Sequence, residues 1–125
     1  MTLSAMFLAL LGIGGSFAPG ELAAYAGGTP DSFAVTVTQL AGAAWLAFAL
    51  VDWAARGSMM GGIYGRPIAL GNFAHFVIGG IVLAKVTLHG PASAALVAVT
   101  AAYLLLAAAF GWVLFVHDPL PSSSR

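Results

Sequence analysis

The stretch that decides the fold runs from Gly61 to His89. It reads Gly61-Gly62-Ile63-Tyr64-Gly65-Arg66-Pro67, then Ile68-Ala69-Leu70-Gly71-Asn72-Phe73-Ala74-His75-Phe76, and continues as a mostly apolar run through Lys85 to His89. A glycine-rich loop with an arginine therefore opens an apolar segment that contains an asparagine, a histidine and a lysine. Pro67 suits a first helical turn, where its missing amide hydrogen would be unpaired anyway. The segment from residue 68 to 89 matches the ~20 residues needed to cross a bilayer core of roughly 30 Å. This is the pattern of a transmembrane helix with polar groups inside it.

Composition extends that reading to the whole chain. Of 125 residues, 61% are hydrophobic and 6% charged, against roughly 25% charged in an ordinary soluble domain. Such a surface is stable when lipid is the outer solvent. The formal net charge is zero, with only four Lys and Arg together, so a phosphate-binding surface for nucleic acid is not expected. The chain has no cysteine, which excludes disulfides, thiolate metal sites and cysteine nucleophiles.

Working outward, the pattern predicts helices at about 3–18, 33–55, 68–89 and 92–116. Together they form one all-α integral membrane domain, a four-helix transmembrane bundle over residues 1–118, with a flexible tail at 119–125. The first apolar run, Leu3 to Phe17, is short for a span, and Pro19-Gly20 ends it. A secretory signal peptide cut near Ala24-Tyr25-Ala26 competes with a retained helix, but no basic segment precedes the run. Leu22 to Ala26 reads as an interfacial turn of helix with Tyr25 at headgroup level. Asp31 or Ser32 is expected to cap the second helix. The fourth helix is nearly featureless and reads as a packing and lipid-facing element. The chain is expected to be a multi-pass membrane protein. Arg56, Arg66 and Arg125 share one side of the bundle and Lys85 the other, which predicts cytoplasmic termini.

Polar side chains mark the candidate site. On the second helix Thr38, Trp45, Asp52 and Arg56 share a face. Asp52 precedes Arg56 by four residues, the favourable order for a helix ion pair; a proton-accepting Asp52 is the functional alternative. Gln39 is expected to cross-link helices by hydrogen bonding. On the third helix Gly71, His75, Val82, Lys85 and His89 fall in one sector, with Gly79 at its edge and Asn72 just outside. His75 lies about eight residues into that helix, or roughly 12 Å at ~1.5 Å per residue. Gly71 and Gly79 flank it at positions where another helix can approach closely, and Gly42 has the same role on the second helix. Asn72 and His75, three residues apart, can act on one neighbour. The loop around Met59, Met60, Gly61 and Gly62, flanked by Arg56 and Arg66, reads as an interfacial turn whose arginines meet lipid phosphates; backbone amides aimed at an anion are the functional alternative.

Several of these strings are also familiar together. Asp52-Trp53-Ala54-Ala55-Arg56, the loop Gly61 to Pro67, Gly71-Asn72-Phe73-Ala74-His75-Phe76 and Gln39-Leu40-Ala41-Gly42-Ala43 resemble a group of small bacterial four-helix membrane proteins. The resemblance covers roughly the middle half of the chain. It implies a bacterial membrane location and a four-helix fold, and it brings no activity. Asp52 departs from the pattern, which has asparagine there, and this lessens the case for an obligatory carboxylate.

Two functional readings follow. In the first, the chain binds or carries a small hydrophobic or amphipathic molecule, such as a lipid, a quinone or a porphyrin-like compound. The cavity would lie around the third helix, lined by Trp45, Asp52, Asn72 and His75, with Arg56, Tyr64 and Arg66 at its mouth. A proton-coupled transporter is a variant of this reading. In the second, the chain is an accessory or self-associating membrane subunit, its glycines serve packing, and His75 bonds a backbone carbonyl or Gln39. An enzyme is the weaker third reading. His75 and His89 are about four turns apart, too far for one metal ion, and haem on His75 with Met59 or Met60 is the one cofactor arrangement to weigh. No metal site and no catalytic residue is assigned, and the cofactor is left open. The expected partners are the bilayer, a small hydrophobic ligand, and a homo-oligomer or membrane complex.

Overall fold

A computed structural model of the chain describes residues 1–25, 29–57, 64–90 and 92–116. The described residues are helical, with short turns and no strand. The elements in order are α1 (Thr2–Phe17), α2 (Pro19–Tyr25), α3 (Ser32–Ala55), α4 (Gly65–His89) and α5 (Ala94–Phe115).

The helix starts follow from local chemistry. Asp31 caps α3, its Oδ1 accepting the Ala34 amide at 2.7 Å. Ser93 caps α5 in the same way, its Oγ accepting the Leu96 amide at 3.2 Å. Each satisfies an amide left unpaired by the helix geometry. Pro67 lies in the first turn of α4, which opens at Gly65, three residues before the predicted start. At the other end α4 stops where Gly90 turns extended, with φ −136° and ψ 174°.

The described residues hold the four long helices expected and a fifth, short one, where Leu22 to Ala26 reads as a turn of helix. The break at Ala18 is real, but Pro19 also serves as a helix start, and Pro19–Tyr25 forms α2 at 110° to α1. A proline cannot donate to the preceding turn, so the chain must change direction, yet its fixed φ favours a new helix.

The helices pair as two antiparallel hairpins, α1 on α3 and α4 on α5. Small residues bring the first pair together. A Cβ placed on Gly42 would lie 2.6 Å from both the Gly15 carbonyl carbon and the Ser16 nitrogen, and one on Gly12 would lie 2.6 Å from Leu46 Cγ. Between the two pairs sits a core of Leu8, Ala49, Ala69, Phe76, Tyr103 and Phe110. The outside is apolar as well: Leu10, Phe17, Leu40, Leu50, Leu105 and Trp112 are all exposed. Three helices, α3, α4 and α5, are long and apolar enough to cross a membrane, and α1 with α2 meets the same measure only as a bent pair.

Candidate functional site

Antiparallel pairing brings the start of α1, the end of α3 and the start of α4 to one end of the bundle. There Ser4, Asp52 and Asn72 form a buried polar junction. Asp52 is 0% and Asn72 1% exposed. Asn72 Nδ2 donates to Asp52 Oδ1 at 2.5 Å and to the Ile68 carbonyl at 3.1 Å. Ser4 Oγ is hydrogen-bonded to Asp52 Oδ2 and to the Met1 carbonyl, the latter at 2.8 Å. Three helices are thus tied by side chains that would be costly to bury singly. Asn72 Oδ1 is buried without a hydrogen-bond partner.

One turn deeper, α4 presents His75 and Phe76, α3 presents Phe48, and α5 presents Tyr103. His75 Nε2 and the Tyr103 hydroxyl are 3.2 Å apart. The imidazole stacks on Phe48 with centroids 4.8 Å apart. Phe76 packs edge-on to Tyr103 and stacks on Phe110, and Phe7 of α1 meets the Tyr103 ring edge at 5.8 Å. Gly79 makes room for this ring: a Cβ there would lie 2.5 Å from Tyr103 Cε1.

Beside this layer a groove of about 440 Å³ opens on the flank of the bundle, lined by Trp45, His75, Ile78, Gly79, Val82 and Tyr103. A second, apolar hollow of about 160 Å³ borders the same Trp45 and Tyr103 and is lined in part by Leu22 and Tyr25 of α2. The two hollows share walls, so together they follow the bundle from mid-height to the end where α2 lies. Their polar edge is the His75–Tyr103 pair.

The structure sorts the predicted site residues into three groups. Trp45 and His75 line the groove. Asp52 and Asn72 lie at the junction, bonded to each other. Arg56, Tyr64 and Arg66 are exposed at the bundle end near that junction. The groove runs from His75 toward Leu83, and its lining includes Trp45 and His75 but not Asp52, Arg56, Tyr64, Arg66 or Asn72.

Other expectations are corrected. The ion pair between Asp52 and Arg56 does not form. Asp52 points inward to Ser4 and Asn72. Arg56 instead donates to the Trp53 carbonyl at 2.6 Å and lies 4.0 Å over the Trp53 ring. Gln39 is exposed on α3 and is not the partner of His75, whose partner is Tyr103. Gly79 is a close contact and Gly71 is not, since a Cβ on Gly71 would meet Phe48 at an ordinary 3.9 Å. The fourth predicted helix, now α5, is not featureless: Thr100, Tyr103 and Phe110 are buried. Ala26, Met59, Met60, Gly61, Gly62, His117, Asp118 and the tail at 119–125 lie outside the described residues.

Sequence reasoning missed Ser4, Phe48 and Tyr103, and with them the Thr87–Thr100 hydroxyl pair at 2.9 Å. Tyr103 carried the one available signal, a single phenol in a helix whose other side chains, Thr100 and Trp112 apart, have no polar atom. Among the described residues, no three His, Asp or Glu side chains gather as a metal site would require. No family model, curated protein or solved structure matches the chain.

Proposed function

We propose that this chain is an integral membrane protein of the bacterial inner membrane and that its flank groove holds a small hydrophobic or amphipathic molecule. In this reading α3, α4 and α5 cross the bilayer. α1 crosses as a short fourth span of about 24 Å at ~1.5 Å per residue, and α2 lies along the interface. The termini and the arginines Arg56 and Arg66 face the cytoplasm, in keeping with the excess of basic residues on that side.

The observation that carries the binding reading is the His75–Tyr103 pair at 3.2 Å in the wall of an otherwise apolar groove. A few placed polar groups in an apolar concavity are what fix a ligand's orientation. A lipid chain or quinone-like molecule with one hydrogen-bonding head meets that chemistry, the head at His75 and the apolar body toward α2.

A structural role without ligand is the second reading, favoured by the junction of Ser4, Asp52 and Asn72, which uses its polar groups to join helices. Gly12, Gly15 and Gly42 are likewise used between α1 and α3 of one chain, which weakens their claim as a self-association surface.

The test is an organic extract of the protein purified in mild detergent, analysed by mass spectrometry for wild type and His75→Ala. A hydrophobic compound enriched with wild type and depleted with the variant supports binding. Identical extracts from two equally stable proteins would contradict it.

A further inference from the structure

The flank groove and the end hollow meet at Trp45, Leu83 and Tyr103, which line both. The His75–Tyr103 pair is the polar edge at that meeting point. Beyond it Leu11, Leu22, Leu83, Leu96 and Val99 line an apolar chamber beside α2. Leu83 is eight residues past His75 on α4, and Ala95 is eight before Tyr103 on α5. Each step is about 12 Å along its helix. The site therefore has a polar point at one end and a hydrocarbon-lined length leading from it.

Depth decides which charge such a site can hold. His75 lies ten residues into the 25-residue α4, and Tyr103 nine into the 22-residue α5. At ~1.5 Å per residue both are about 14–15 Å from a helix start, near the middle of a hydrocarbon core of roughly 30 Å. No Asp, Glu, Lys or Arg is among the described residues that line either hollow. Glu21 of α2 and Lys85 of α4 are exposed and outside both linings. Asp52 is closed into the junction with Ser4 and Asn72. A charged head at that depth, with no counter-charge beside it, is strongly disfavoured.

The pair keeps hydrogen-bonding capacity for a head without charge. In either neutral tautomer of His75 the two side chains own one N–H and one O–H. The bond between them uses one of these hydrogens, and the other is left to donate. Resting on the binding reading above, we infer that the occupant is an uncharged amphiphile. Its head carries a carbonyl or hydroxyl oxygen that accepts a hydrogen bond at His75 and Tyr103. Its hydrocarbon tail passes Trp45 and Leu83 into the chamber beside α2. Quinones and acylglycerols share this chemistry. Phospholipids and fatty-acid anions do not: either their charge would be drawn to mid-bilayer, or their chain would lie against the polar pair and leave it without a partner.

The test is photolabelling of the wild-type chain in phospholipid nanodiscs with two probes, decyl acetate and decyl phosphate, each carrying a diazirine at the tail end. Peptide mass spectrometry locates the labelled residues. The ester is expected to label Leu96 and Val99 in the chamber, and the phosphate to label them at least about tenfold less. Both probes are expected to label Leu105, which is exposed on the outer face of α5. Phosphate labelling of Leu96 and Val99 as strong as the ester's overturns the uncharged head and leaves the binding reading standing. Label at Leu105 alone, with neither probe in the chamber, overturns the inference and the binding reading together. A competition then separates the two sources of such a head, with excess decylubiquinone or dioctanoylglycerol added to the ester probe. Suppression of the chamber label by either compound supports the inference and names the source. A label that survives both overturns it.

Discussion

His75 of α4 and Tyr103 of α5 meet at 3.2 Å, Nε2 to hydroxyl, in the wall of a groove that is otherwise apolar. The pair joins two neighbouring helices and at the same time gives the groove its polar edge. Tyr103 is buried to 3% exposure, and its ring fills the space left by Gly79. Ring packing and hydrogen bonding are therefore separable by mutation at this one residue.

Tyr103→Phe keeps the ring and removes the hydroxyl. The expected loss of stability is about 0.5–1.5 kcal/mol, the net worth of one hydrogen bond. Thermal unfolding in detergent measures it. Tyr103→Ala removes the ring from the core and is expected to cost ~3–5 kcal/mol. Equal losses for the two variants would show that the ring does not pack as described.

Asn72→Ala removes the donor to Asp52 and to the Ile68 carbonyl together. The expected cost is about 1–3 kcal/mol, because a buried polar group is left unpaired. Chemical or thermal unfolding of the variant beside wild type reads this directly. An unchanged midpoint would mean that the junction does not hold the helices.

Arg56→Gln is expected to change stability by no more than ~0.5 kcal/mol, as at an ordinary surface position. Its contacts are with Trp53, on its own helix. A double-mutant cycle with Asp52→Asn should show coupling near zero. Strong coupling would restore the ion pair that the i, i+4 spacing suggests.

The glycines divide in a way that alanine substitution can read. Gly42→Ala would press a methyl against the Gly15 and Ser16 backbone at 2.6 Å, with an expected cost of about 1–3 kcal/mol. Gly14 lies on the same helix as Gly15, but a Cβ there would meet nothing within 4 Å. Gly14→Ala should therefore be neutral or stabilising by up to ~1 kcal/mol. A melting series on the two variants distinguishes the close α1–α3 contact from a merely small-residue composition.

Local signals in the sequence are sufficient for the long helices. Asp31 sits ahead of an apolar run and caps α3, and Pro67 precedes one and lies in the first turn of α4. Pro19 is harder to read, because it both ends α1 and begins α2. Side-chain partners are harder still, because the rules of helix spacing see only neighbours in the chain. Arg56 is four residues from Asp52 and is the partner that spacing suggests; the real ones are Asn72, 20 residues away, and Ser4, 48 residues away. His75 stands out as a histidine inside an apolar helix, but its partner Tyr103 lies 28 residues on. Which polar residues share a site is set by how the two hairpins pack against each other, and no single helix encodes that.

The most direct test of the groove is native mass spectrometry of the protein released from nanodiscs, comparing wild type with Val82→Trp. Val82 lines the groove and is 56% exposed, so a tryptophan there can fill the groove without entering the core. The expected result is a stoichiometric small-molecule adduct on wild type that is absent from the variant, with both proteins equally stable. Bare protein in both samples, at a defined multiple of the monomer mass, would contradict ligand binding and make His75 and Tyr103 packing residues of an assembling subunit.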